Sequence, residues 1–263
     1  MRVHHLSCGT FTPPLTGTIV CHVLLCETDD GLVLVDTGLG LGDYADPRRM
    51  GPARHLLKVA STPAASAVLQ LQAMGFDATD VVHVVVTHLD FDHIGGLSDF
   101  PAATVHTTAD EHAAAVTAPD ALDRRRYRPA QWAHGPAWQL HGGRGDTWMA
   151  GLTGHEVLPG ITLVPMPGHS RGHAAVAVDA GERGLVVHAG DAVFDAASYA
   201  DTTPSGQPLQ PMRKLRAFEQ AVGRDRAAIA RNHHTLRQLN ATDGVTVVPA
   251  HDPRIFDDVA GSA

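Results

Sequence analysis

The stretch Val81-Val82-His83-Val84-Val85-Val86-Thr87-His88-Leu89-Asp90-Phe91-Asp92-His93-Ile94-Gly95-Gly96 decides how this 263-residue chain is read. Val81–Val86 is short, valine-rich and apolar on both parities, so it is expected as a central strand buried on both faces. Directly after it come His88, Asp90, Asp92 and His93, four groups able to bind a metal within six residues. His88 and Asp90 share one side of an extended loop, while Asp92 and His93 can turn to a second point. A catalytic tetrahedral ion takes about three protein ligands and keeps one position open. Four candidates here, with further histidines downstream, point to two ions roughly 3.5–4 Å apart. Gly95-Gly96 permits a tight turn out of the loop.

Outward from this loop, Thr18–Glu27 and Gly31–Asp36 are apolar runs split by Thr28-Asp29-Asp30-Gly31, a hairpin signal. Pro63–Met74 carries helical spacing and stops at Gly75. Ala103–His106, Ile161–Pro165, Ala174–Val178, Gly184–His188 and Val245–Val248 read as strands. Ala109–Val116, Met212–Val222 and Arg224–Leu239 read as helices. Strands dominate both halves with helices interspersed, an order that suits two packed sheets with helices outside. With no repeat and no flexible linker, residues 1–263 are expected to form a single domain. Residues 119–158 lack periodicity and hold Trp132, Trp138, Trp148 and the Arg124–Arg128 cluster. They are expected to be an insertion, either a lid over the site or a peripheral loop that packs its own aromatics.

Composition narrows the classes. Hydrophobic content of 44% with 18% charged residues is that of an ordinary globular chain, and a net charge of −8 argues against nucleic-acid binding through the overall field. Eighteen histidines favour metal or acid–base chemistry. Cys21 and Cys26 lie at odd separation in one strand-like run, which sends their side chains to opposite faces. The cysteines are therefore read as reduced and the compartment as cytoplasmic. No signal-peptide-like segment opens the sequence and no apolar window is long enough for a membrane span.

The loop resembles the His-x-His-x-Asp-His motif of the metallo-β-lactamase superfamily, with Asp90 in place of a histidine. Further landmarks of that family come in order: Asp36-Thr37-Gly38, Pro167-Gly168-His169-Ser170-Arg171-Gly172-His173, His188-Ala189-Gly190-Asp191 and Pro249-Ala250-His251-Asp252. The resemblance implies an α/β fold, a four-layer αββα sandwich. It implies that His88, Asp90 and His169 hold one metal and Asp92, His93 and His251 the other, with Asp191 shared. Catalysis then falls to Asp92 and Asp191, with a bridging hydroxide attacking a carbonyl ester-type bond in a lactone or small ester. A glyoxalase II-like thioesterase and a non-haem iron oxidoreductase or dioxygenase are the alternatives.

Two divalent ions are implied, zinc first. Asp90 opens the site to iron or manganese, because a carboxylate is a harder donor than imidazole; the flavodiiron branch of the family has a glutamate at this place and binds iron. The quorum-quenching lactonases of the family carry a tyrosine shortly after the bridging aspartate, and Phe194 stands at the comparable position. Tyr199 or Tyr127 would have to supply that phenol. His22, Arg126, Trp132, Phe194 and Tyr199 are candidate substrate contacts, with the tryptophans as an apolar wall and the arginines facing an anionic group. The expected partner is a small molecule, anionic with an apolar part, and neither nucleic acid nor membrane. Many relatives dimerise, so the resemblance also raises a homodimer.

Overall fold

The computed structural model describes residues 1–14 and 16–261. Each half of the described chain builds one sheet, and neighbours in sequence are neighbours in space. The first sheet runs β1 (Arg2–Phe11), β2 (Ile19–Thr28), β3 (Gly31–Val35), β4 (Val81–Val85), β5 (Thr104–Thr108) and β6 (Ala137–His141). The second runs β7 (Asp146–Thr147), β8 (Thr153–Leu158), β9 (Ile161–Pro165), β10 (Ala174–Asp179), β11 (Leu185–Gly190) and β12 (Val245–Pro249). The β2–β3 hairpin closes with Thr28 opposite Gly31. From β3 to β6 the pairing is parallel, as it is between β11 and β12.

Alternation along the strands assigns the layers. Val33, Val35 and Val85 point into the cluster between the sheets with Leu163 and Val176. Leu32, Leu34, Val84 and Val105 point the other way, onto Val68 and Leu71 of α3 (Ala67–Ala73). The central strand is thus buried on both faces, as its valines require. The remaining helices are α1 (Leu41–Ala45), α2 (Ala53–Leu57), α4 (Phe91–Ile94), α5 (Ala109–His112), α6 (Asp123–Arg126), α7 (Arg213–Val222), α8 (Arg226–Asn240) and α9 (Pro253–Ala260). In α8, Asp225 caps the N-terminus by accepting from the Ala227 and Ala228 amides, and Ile229, Asn232, Leu236 and Leu239 form the buried face. Leu236 and Leu239 join the cluster that includes the strands of the second sheet. The order is helix, sheet, sheet, helix.

This topology gathers the chemistry at one end. Asp36 follows β3, the His88–His93 loop follows β4, His169 follows β9, Asp191 follows β11 and His251 follows β12. Each functional loop leaves a strand at its carboxyl end, where the ladder stops and side chains are free to converge.

One expectation changes. Residues 137–158 are largely strand, since β6 and β7 edge the two sheets and β8 lies inside the second. A mostly exposed edge strand such as β6 is held by its backbone ladder, so it leaves little apolar periodicity to read. Of residues 119–158, only the part around α6 reaches the site. β1 fits no motif, yet it pairs along β2 and its Val3, Leu6 and Phe11 are buried. Cys8, Cys21 and Cys26 are free and buried, and Cys21 and Cys26 fall in different clusters, as their spacing requires. Among the described residues no helix is long and apolar enough to cross a membrane.

Candidate metal centre

Asp36 is the post on which the site is built. Its backbone is held at φ 60°, and its carboxylate accepts the Thr87 amide at 2.8 Å and the Thr87 hydroxyl at 2.9 Å. Its Oδ2 also lies 2.8 Å from His93 Nδ1. Burial would raise the Asp36 pKa, but His93 outweighs it and the value falls below the ordinary one. A carboxylate behind a histidine fixes both the ring and its tautomer.

Counting hydrogens assigns the tautomers. Thr87 has one hydroxyl hydrogen, and Asp36 takes it. The 3.0 Å contact between Thr87 Oγ1 and His88 Nδ1 therefore has His88 donating, which leaves Nε2 as a lone pair. His93 donates from Nδ1 to Asp36, and His251 donates from Nδ1 to the Val20 carbonyl at 2.7 Å. All three rings thus present Nε2 to a common space lined by carboxylates.

Asp191 divides that space. Its Oδ2 lies 3.7 Å from His88 Nε2 and 3.0 Å from His169 Nε2, while its Oδ1 lies 3.2 Å from His93 Nε2 and 3.0 Å from His251 Nε2. Asp90 Oδ2 completes the first cluster, 3.3 Å from His88 Nε2 and 3.2 Å from His169 Nε2. Asp92 Oδ2 completes the second, 3.6 Å from His251 Nε2. The four groups His88, Asp90, His169 and Asp191 form one half-site, and Asp92, His93 and His251 the other.

Lone pairs facing carboxylate oxygens at these separations repel unless a cation or protons lie between them. Burial opposes charge on His93, but Asp191 and Asp36 outweigh it and raise its pKa well above the ordinary value; His251 is raised in the same way by Asp191 and Asp92. His88 is pushed down by burial and then by His93, and its buried Nε2 has no hydrogen-bond partner among the described residues. An unpartnered imidazole lone pair among carboxylates fits a divalent cation, and so does the donor set of both half-sites.

Asp90 is paired on both oxygens, including the Oδ2 that faces His88 and His169. Arg126 Nε donates to Asp90 Oδ1 at 2.7 Å and its Nη2 to Oδ2 at 2.6 Å. Its Nη1 reaches the carbonyls of His169 at 2.9 Å and Val222 at 3.0 Å, and Nη2 also touches His169 Nε2. Burial would raise the Asp90 pKa, but Arg126, followed by His88, holds it well below the usual carboxylate range.

A cavity of about 490 Å³ opens above, with Asp90, Asp92, His169, Asp191 and His251 on its floor. Ile19, Leu56, Phe91, Leu122, Phe194 and Phe218 supply apolar wall, and five arginines, among them Arg125 and Arg126, line it as well. Phe194 sits against His169 and His251 with ring centroids 5.6 Å and 5.0 Å away.

The other expected substrate contacts lie elsewhere. His22 is buried against His5, His188 and Phe256, and is absent from the cavity wall. Tyr199 gives its hydroxyl to the Val247 carbonyl at 2.8 Å, and Tyr127 gives its own to Glu111 at 2.8 Å. Neither phenol reaches the cleft. Trp132 and Trp138 pack on the outer cluster of the first sheet, Trp148 lies beside Gly154 on the outer face of the second, and none of the three lines the cavity.

Sequence reading missed Glu111. This fully buried carboxylate accepts from the Leu89 amide at 2.9 Å, the Ser170 hydroxyl at 2.6 Å and the Gly172 amide at 3.1 Å, besides Tyr127. It ties the His88 loop to the His169 loop. Its one local signal was Thr108 three residues earlier, which caps α5 through the Glu111 amide and draws attention to the helix end instead. His173 accepts the Asp191 amide at Nε2 and faces the Met166 carbonyl at Nδ1, so both ring nitrogens are engaged in holding the loops.

A model of the metallo-beta-lactamase superfamily matches residues 16–251. A probable metallo-hydrolase of Mycobacterium tuberculosis is 44% identical over 261 residues, spanning 97% of this chain and 82% of its own length. The N-acyl homoserine lactonase AiiA of Bacillus thuringiensis subsp. kurstaki is 24% identical over 225 residues, 81% of this chain and 80% of its own. A solved N-acyl homoserine lactone hydrolase, with the product N-hexanoyl-L-homoserine bound at its catalytic metal center, superposes with a TM-score of 0.73. It is 19% identical and covers 98% of this chain and 95% of that one.

Proposed function

This chain belongs to the metallo-β-lactamase superfamily, and from that premise we propose that it is a dinuclear metal-dependent hydrolase of a lactone or small ester with an apolar part. The observation that carries the reading is the division of the two Asp191 oxygens between two ligand clusters on the floor of an apolar cleft. Divalent ions held by His88, Asp90, His169 and Asp191, and by Asp92, His93, His251 and Asp191, would supply Lewis acidity and a nucleophile from water at neutral pH.

The chain's own groups account for the remaining steps. Asp92 lines the cleft beside His251. There it can accept the proton that water loses on adding to the acyl carbon, and return it to the alkoxide as the C–O bond breaks. One water is consumed, and an acid and an alcohol result. Phe194 closes the wall next to His169 and His251 and offers the carbonyl no hydrogen bond. Leu56 and Leu122 stay 57% and 56% exposed while lining the cleft, a surface for an apolar substituent. The anion-binding role expected of Arg126 passes to Arg125, which lines the cleft with no ion pair or hydrogen bond of its side chain among the described residues.

The test is to strip the protein with chelator, restore zinc, iron or manganese, and assay lactones, aryl esters, thioesters and phosphodiesters. Metal-restored hydrolysis of carbonyl esters, with KM falling as the acyl chain lengthens, is expected. Turnover confined to thioesters or phosphodiesters, or oxygen uptake with iron, would overturn it.

A further inference from the structure

The carboxylate at position 90 never stands alone. Both Asp90 oxygens are taken by one guanidinium, Nε on Oδ1 and Nη2 on Oδ2, in the fork geometry that only arginine provides. That guanidinium is held in turn by the His169 and Val222 carbonyls, and its Nη2 also lies against His169 Nε2, a nitrogen that a cation in this half-site would take over. Only 18% of the Arg126 side chain and 15% of the Asp90 side chain are exposed, so water screens the pair poorly. Among the described residues nothing equivalent backs the second half-site, where the group behind the ligands is the Asp36 carboxylate.

We propose that Asp90 and Arg126 act as one neutral unit at the first half-site, the guanidinium cancelling the carboxylate's charge so that the half-site attracts a cation as if a neutral imidazole stood at position 90. This rests on the reading that His88, Asp90, His169 and Asp191 hold a metal. Arg126 is then a positioning residue whose charge sets the affinity of that half-site. Unit charges a few ångströms apart in a poorly screened site shift binding equilibria by large factors, so the two members of the pair must act with opposite sign.

The experiment compares wild type, Arg126→Gln, Asp90→His and the double variant. Zinc stoichiometry and dissociation constants are read by competition with a chromophoric chelator, and folding by circular dichroism. Asp90→His alone strands a cation beside the half-site and should weaken the weaker zinc roughly tenfold or more; Arg126→Gln alone exposes the carboxylate and should tighten it by a similar factor. The double variant should return to within a few-fold of wild type, and Arg126→Lys, which keeps the charge, should stay near it. If Arg126→Gln folds poorly, Asp90→His against the double variant still decides, because only charge pairing predicts recovery. Two zinc ions whose affinities ignore Arg126→Gln, or weaken with it, would overturn the pairing alone. A wild type that binds one zinc and is indifferent to Asp90→Ala would overturn the metal reading beneath it.

Discussion

The two half-sites meet at Asp191 but are propped in opposite ways. Behind the second stands an anion, as Asp36 draws the Nδ1 proton of His93 and makes its Nε2 a stronger donor. Against the first lies a cation, as Arg126 pairs with Asp90 and touches the His169 ring nitrogen. The loops that carry them differ too. The second half-site hangs from the ends of β3, β4 and β12 through short backbone links, among them the Thr37 amide on the His93 carbonyl at 2.7 Å. The first depends on Glu111 and Arg126, side chains that reach in from the segment after β5. Ligands that all follow strand ends are thus steadied once by short backbone links and once by borrowed side chains, and the second half-site is expected to bind its cation more tightly.

The contrast breaks most completely at the residue both halves share. Asp191→Ala should weaken both zinc equivalents and depress ester turnover beyond the roughly 100-fold that a residue behind a ligand commands; loss of one equivalent only would show that Asp191 serves a single half. Asp36→Asn should act chiefly on the second half-site, lowering its zinc affinity roughly 10–100-fold, with a smaller effect on the first through Thr87 and His88, as resolved by chelator competition. An equal effect on both half-sites would erase the distinction drawn between them.

Glu111→Ala tests the other prop. It strands buried donors at Leu89, Tyr127, Ser170 and Gly172, a loss on the order of 3 kcal/mol in urea unfolding, with the first half-site weakening more than the second. Smaller still is a pH effect on protein freed of metal. His93 and His251 have folded pKa values raised above the ordinary 6.5 by Asp191, with Asp36 and Asp92 respectively, against the opposing effect of burial. The folded state therefore holds those protons more tightly than the unfolded chain. The stability they contribute is full below about 6.5 and is lost as pH rises through the raised values. The Tm of metal-free protein should fall by a few degrees over that window, and bound zinc should remove the dependence. A Tm that rises instead would contradict the raised pKa values of His93 and His251.

The same division governs how much of the site was legible in the sequence. His88, Asp90, Asp92 and His93 fall within six residues at a strand end, where ligand type alone singles them out, whereas Asp36, His169, Asp191 and His251 stand out only through the resemblance to the family's ordered landmarks. Arg126 meets Asp90 across 36 residues and Ser170 meets Glu111 across 59, and nothing local marks either pairing. The same gap explains the tryptophans. A mostly exposed edge strand such as β6 has no apolar rhythm, so residues 119–158 look like a loop until the ladder is seen. His22 is a cleft candidate through its strand and Tyr199 as a phenol in place of Phe194, but their side chains are spent on His5 and Val247.

The most direct measurement is anomalous diffraction at the zinc edge from crystals of zinc-loaded protein. Two peaks are expected, one bounded by His88, Asp90, His169 and Asp191 and one by Asp92, His93, His251 and Asp191, with the second fuller at limiting zinc. A single peak with Asp90 and Arg126 closed over the first half-site would contradict the two-metal reading.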